Sequence, residues 1–391
     1  MKRIWIAVAA VAAPVGTACA QVELVDTPAA SKSAQPNLSV SPEGQVLLSW
    51  VETIDDGHRL AFAIGNGDGW SAARTVASGA DWFVNWADFP SVVGARGGSL
   101  FAHWLVKSAE GTYDYDVTMA RSVDGGATWS EPFLPHRDGV AAEHGFVSLL
   151  PRLGQGAVSA FWLDGREMGK EQGVRGSMTL RYVEVSGAGK LEHPALLDPR
   201  VCECCQTSAA MTSNGPIVVY RDRSDDEVRD IYCVRHVAGV WTAPREVHKD
   251  GWQIQGCPVN GPAVAALGEQ VVVAWFTAAK GRAHVNVAFS RDGGATFGEP
   301  THVDGRNPSG RVDVAIDKNG DAHVCWLATG SGGATIRCCR VRADAGVDEP
   351  IDVAVTTAAR GSGFPQMVRV RNRLWFAWTD GKVRSAFLVL P

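Results

Sequence analysis

The 391-residue chain lacks any long helical periodicity, any run of basic residues, and any Pro- or Ser-rich linker between its internal units. The first absence removes helical bundles and alternating α/β folds from consideration. The second, with a formal charge of −5 that becomes −7 without Lys2 and Arg3, argues against a nucleic-acid surface. The third argues for one large domain over residues 21–391 rather than two or three small ones. No segment beyond the N-terminus is apolar for long enough to cross a bilayer, so a transmembrane protein is not expected.

Abundant glycine and tryptophan, 43 and 14 residues, favour an all-β architecture of short strands and tight turns. The stretch from Cys257 to Gly305 displays the unit: Gly261–Leu267, Glu269–Phe276, Ala283–Ser290 and Thr301–Asp304 each read as a strand. The second of these is almost wholly apolar, as a strand buried on both faces requires. The aromatic that closes it recurs at Trp50, Trp104, Trp162, Tyr220, Trp275, Trp326 and Trp378, at intervals of roughly 51 to 58 residues, near the length of a four-stranded propeller blade. A β-propeller of seven four-stranded blades is the favoured reading, with six as the alternative. The last unit has only three strand candidates, and Val22–Asp26 resembles the missing outer strand. The ring is therefore expected to close through the N-terminal strand.

The start, MKRIWIAVAAVAAPVGTACAQ, has a basic head, a short apolar core and small residues before Gln21. Residues 1–20 read as a secretory signal, making the protein exported, periplasmic or secreted. A lipoprotein site at Cys19 is the minor variant, because Gly16 stands where a larger aliphatic is usual.

Two turns share a pattern: SVDGGATW at Ser122–Trp129 and SRDGGATF at Ser290–Phe297. The motif closely resembles the Asp-box, or BNR repeat, of the sialidase-like propellers. The resemblance implies that Ser122, Asp124, Gly126, Trp129, Ser290, Asp292, Gly294 and Phe297 are folding devices, on the face opposite a working site. It also implies a glycoside hydrolase, either an exo-sialidase or a relative. Sialidases use an arginine triad, a tyrosine nucleophile with its glutamate, and an aspartate acid/base. Here Gln35-Pro36-Asn37-Leu38 stands where an Arg-Ile-Pro element is usual, the seventh unit has no tyrosine, and seven units replace six.

In a propeller, the loops entering each first strand and those joining the second to the third share one face, where ligands bind. Those loops carry Asp88, His144, Asp164 and Asp313 as candidate acids and bases for glycoside chemistry. They also carry Trp86, Arg166, Arg221, Arg223, Asn260, Arg311 and Arg360 as candidate contacts for an anionic or sugar ligand. Cysteines mark the same face most sharply. Loss of Cys19 leaves eight, an even number that in an exported chain points to disulfides. One of Cys202, Cys204 and Cys205 would pair with Cys257, and Cys325 with Cys338 or Cys339. The competing reading is a soft-metal cage for Cu or Zn made by Cys202, Cys204, Cys205 and Cys257, with His144 approaching from the neighbouring unit. The expected protein is thus a monomeric ligand- or metal-binding scaffold working through its cysteine-bearing funnel on a small molecule, a glycan or a protein; the glycoside hydrolase is the alternative.

Overall fold

The structure is a computed structural model describing residues 21–152, 156–169, 176–330, 333–344 and 346–391, so the expected signal at 1–20 lies outside the described residues. Seven antiparallel sheets form a ring, and each runs outward from a strand on the central channel. The fifth blade is Ala263–Leu267, Gln270–Thr277, His284–Ser290 and Thr301–Asp304, within a residue or two of the sequence reading. The seventh is Gln366–Val370, Arg373–Asp380 and Lys382–Val389, completed by Val22–Val25 from the N-terminus. Val22 pairs with Leu388 and Val25 with Ser385, so the ring closes through the N-terminal strand as expected.

A seven-membered ring follows from the packing. Seven apolar clusters lie one in each gap between adjacent blades; the fifth and sixth, for example, meet through Val272, Val285, Val324 and Trp326. No single blade covers both of its faces. Each fully buried aliphatic or phenyl side chain here contributes about 1.5–3 kcal/mol only when its neighbour blade is in place. The recurring aromatics add a polar lock. The indole N–H groups of Trp275 and Trp326 donate to Asp250 and Asp304, which stand at the end of the preceding blade (2.6 and 2.8 Å). Tyr220 reaches Asp198 in the same way, whereas Trp50 and Trp162 donate to Glu52 and Asp164 two residues further along their own strands.

The second blade departs from the expectation. Its strands are Ser91–Gly94, Leu100–Lys107 and Tyr115–Ser122, and in place of a fourth the segment Pro132–Pro135 makes the single bridge between Met119 and Phe133. Proline at both ends of that segment offers no N–H to a ladder.

The two SxDGGAT turns share one hydrogen-bond pattern. Asp124 Oδ1 accepts from the Ser122 hydroxyl (2.7 Å) and the Thr128 N–H (2.9 Å), and Oδ2 accepts from the Thr128 hydroxyl (2.6 Å). Asp292 repeats these with Ser290 and Thr296. Gly126, at φ 84°, lies so close to Phe62 of the preceding blade that a Cβ would collide with the ring. The turn thus locks itself and docks on its neighbour.

Cys325 and Cys338 are register partners on adjacent strands of the sixth blade, yet both remain thiols, as does Cys339. The expected bridge there is absent. Cys325 and Cys338 pack in the apolar gap between the sixth and seventh blades, while Cys339 faces the gap to the fifth. Among the described residues, no helix is long and apolar enough to cross a membrane.

Candidate functional site

The channel end that receives the loops between blades is built around a backbone irregularity. The inner strands of the first, third and sixth blades each shift register near their entry, with Gln35, Phe146 and Arg311 at φ 56°, 53° and 53°. Bulky residues in this region cost on the order of 1 kcal/mol each. A bulge leaves an N–H outside the ladder, and the preceding blade takes it. Asp88 Oδ1 accepts from Phe146 N and Asn260 Oδ1 from Arg311 N, both at 2.7 Å. Gln206 accepts from Gly261 N (3.1 Å) and Asp313 Oδ2 from Met367 N (2.7 Å) at the corresponding places in other blades. Asp88, Gln206 and Asp313 therefore sit as staples around a cavity of 280 Å³.

Burial is the main influence on both acids. Although the N–H donors, and Tyr115 for Asp88, favour their charged forms, Asp88 and Asp313 are each pushed up to about 7. Asp88 Oδ2 lies 3.1 Å from the Tyr115 hydroxyl, which also lies 3.0 Å from Glu143 Oε1. One hydroxyl proton cannot serve two carboxylates. Glu143, pushed up to about 8 by burial and the neighbouring Asp88, completes a trio that retains a proton at neutral pH. Asp88→Asn is thus expected to be nearly neutral: Oδ1 still meets Phe146 N, and the new NH2 faces the Tyr115 oxygen. Asp313→Asn, caught between the N–H groups of Val314 and Met367, is expected to lose about 1–3 kcal/mol. A folded-state pKa above the unfolded value favours the fold below about pH 4, and that contribution is lost as pH rises through 7. Urea unfolding at pH 5 and 8 should therefore show a smaller difference for Asp88→Asn than for the unaltered chain.

The remaining candidates separate into three groups. Trp86 and Phe364 stack on each other (centroids 5.8 Å apart), and the Arg311 guanidinium covers Trp86 at 4.8 Å while donating to Gly363 O (2.8 Å). Phe364 lines the channel cavity, and the exposed Arg360 stands 6.0 Å from the same indole ring. His144 and Asp164 belong to a buried ionic cluster that sequence order hid. His144 stacks on His136 (4.1 Å), its Nδ1 faces the carbonyls of Tyr115 and Ala142, and its Nε2 faces Asp138 and Asp164. Burial opposes its protonation, but Asp116, Asp164 and Asp138 outweigh that and raise its pKa. Asp164, despite burial, is held low by Arg166, whose Nε is 2.7 Å away. Nε2 stands 3.4 and 3.7 Å from the Asp138 and Asp164 carboxylates without a hydrogen bond, so these charges favour the protonated ring, and His144 lies apart from the cysteines.

The third group is the cysteine rim over the fourth and fifth blades. Cys204 and Cys257 form a disulfide (Cα–Cα 5.9 Å) tying the loops that enter these blades. Cys202 and Cys205 are buried thiols, their sulfurs 3.5 Å apart, and Cys202 Sγ is also 3.8 Å from Cys204 Sγ. The Arg229 guanidinium donates to Cys202 Sγ at 3.1 Å and to Glu203 at 3.0 Å, and its other end meets Glu227 at 2.8 Å. Arg223 closes the same circuit through Glu227 and Glu203. Burial works against ionising Cys202, yet the hydrogen bond from Cys205 and the charge of Arg229 bring its pKa down to about 6. Burial, reinforced by the ionised Cys202, keeps Cys205 protonated well above the ordinary thiol range. Arg221, read from sequence as a ligand clamp, is instead internal. It donates to the carbonyls of Asn260, Arg229 and Phe276 and lies 4.8 Å over Trp252. Arg229 was one residue of a long charged run in the sequence, and nothing one-dimensional distinguished it from its neighbours.

No family model matches the sequence, and no curated protein matches it. Solved structures do. A protein of unknown function from Dyadobacter fermentans is 14% identical, with 94% of this chain and 98% of that one covered at a TM-score of 0.55. The polysaccharide lyase Uly1 is 8% identical, with 91% and 90% covered at 0.53. A variant of the NanB sialidase from Streptococcus pneumoniae is 8% identical, with 94% of each chain covered at 0.48. In fold, then, the chain is a seven-bladed β-propeller; identities this low say nothing of activity.

Proposed function

We propose that this is an exported ligand-binding propeller whose working surface is the cysteine rim, and that its ligand is a soft metal ion, Cu(I), held by Cys202 and Cys205. The observation that carries the reading is the pair of buried sulfurs 3.5 Å apart with Arg229 on one of them. Thiolate ligands select Cu(I) over harder ions. A two-thiolate Cu(I) centre carries one net negative charge, which the buried guanidinium matches. Zn(II) would need four ligands, and the disulfide removes Cys204 and Cys257 from the set. Disulfide chemistry also suits an oxidising compartment, in keeping with the basic and apolar start of the chain. The turns at Asp124 and Asp292 fit the Asp-box role of blade fasteners.

The glycoside-hydrolase reading comes second, because Asp88, Asp164 and Asp313 direct their oxygens to protein donors. The test is a Cu(I) titration under argon of protein carrying six free thiols and the Cys204–Cys257 bridge, against a chromogenic Cu(I) chelator. One equivalent withheld from the chelator is the expected result. Failure to withhold any would end the metal reading, and hydrolysis of sialosides by the same preparation would favour the alternative.

A further inference from the structure

The four sulfurs of the rim are graded by depth. Cys257 is exposed, Cys204 half-buried, and Cys202 and Cys205 are shut off from solvent, at 0% and 2% exposure. An oxidised Cys202–Cys205 pair would be out of reach of any reductant in solution. One route inward exists: Cys202 Sγ touches Cys204 Sγ at 3.8 Å, and Cys204 is bonded to the exposed Cys257.

We infer that Cys257 and Cys204 are the surface port of a thiol–disulfide relay, carrying two electrons from an external dithiol to the buried Cys202–Cys205 pair. The reductant class is a vicinal dithiol, free or on a protein surface. Its first sulfur attacks Cys257 Sγ and Cys204 leaves as the thiolate. Its second sulfur then attacks the mixed disulfide, releasing the Cys257 thiol and the oxidised, cyclic donor. Cys204 next attacks Cys202 Sγ; the Cys202–Cys205 bond breaks, Cys205 takes up a proton, and Cys202–Cys204 forms. Finally Cys257 attacks Cys204 Sγ, restoring Cys204–Cys257 and freeing Cys202. In balance, one external dithiol becomes a disulfide, one buried disulfide becomes a dithiol, and the surface bridge returns unchanged. The surroundings suit this traffic, since Arg229 offers its charge to the Cys202 sulfur that both bonds share in turn. The relay rests on the same sulfurs as the Cu(I) reading and would make that site binding-competent, but none of its steps needs a metal.

The test uses the full mature chain in a metal chelator, oxidised at both pairs and mixed with dithiothreitol. Samples are acid-quenched, alkylated and mapped by mass spectrometry. The Cys202–Cys205 thiols should appear at least about tenfold faster in the unaltered chain than in a Cys204→Ser/Cys257→Ser double variant. Cys257→Ser alone, lacking the last step, should accumulate the Cys202–Cys204 disulfide. Equal rates in the double variant, or no Cys202–Cys204 species in Cys257→Ser, would overturn the relay. Because copper is absent throughout, either result leaves the Cu(I) titration to be judged separately.

Discussion

Cys202→Ser is expected to weaken Cu(I) binding at least about a hundredfold, roughly 3 kcal/mol, with the fold intact. A hydroxyl is a hard, weakly acidic donor, and with only two sulfurs in the set there is no third to take its place while Cys204 remains bonded to Cys257. Cys205→Ser should match it. Arg229→Gln should act differently: it leaves both sulfurs but removes the cation 3.1 Å from Cys202, and about tenfold weaker binding is expected from uncompensated buried charge. Cys233→Ser serves as the control, because that thiol is buried between the fourth and fifth blades, away from the rim. Chelator competition on the four variants gives the order directly. Equal affinities for Cys202→Ser and Cys233→Ser would remove the rim from metal binding altogether.

The ring was legible because its determinants are local and repeated. A buried strand ending in an aromatic announces itself seven times, and the N-terminal strand could be assigned because the last unit lacked one. Where legibility failed, the cause was contact between distant positions. That some rim cysteine would meet Cys257 was readable; that it is Cys204 was not, since Cys202, Cys204 and Cys205 differ by a residue or two and only their facing directions decide. Asp164 illustrates an error of weighting. Its place after a second strand suggested an acid, yet Trp162 two residues earlier lies on the same face of the strand, and Trp50 with Glu52 shows the same spacing. That repeated spacing was a visible sign of an indole acceptor. The His136–His144 stack carried no comparable sign, because its carboxylates come from Asp116, Asp138 and Asp164 in two different blades.

Arg221→Leu should be the most damaging single change near the rim, lowering stability by about 3–5 kcal/mol and the melting temperature by on the order of 10 °C. The side chain is almost fully buried, and its nitrogens satisfy carbonyls from three separate segments: Asn260, Arg229 and Phe276. Leucine fills part of the volume and leaves all three acceptors without a donor in a place water does not reach. Lysine would not rescue the loss, since one ammonium cannot cover the directions of a planar fork. The damage should extend to the sulfurs by a specific route. Asn260 gives its N–H to Cys205 Sγ at 3.4 Å, and Arg229 holds Cys202, so one guanidinium fixes the backbone of both residues that hold the thiol pair. Arg223→Gln is the comparison: among the described residues its side chain meets the carboxylates of Glu227 and the buried Glu203, both of which keep Arg229, so the loss should stay at about 1–2 kcal/mol. Thermal unfolding followed by tryptophan fluorescence, with Cu(I) competition on the same samples, separates the two outcomes. If Arg221→Leu melted within about 2 °C of the unaltered chain and kept its copper, the internal guanidinium would be a bystander, and the rim geometry would have to be held by the Cys204–Cys257 bridge alone.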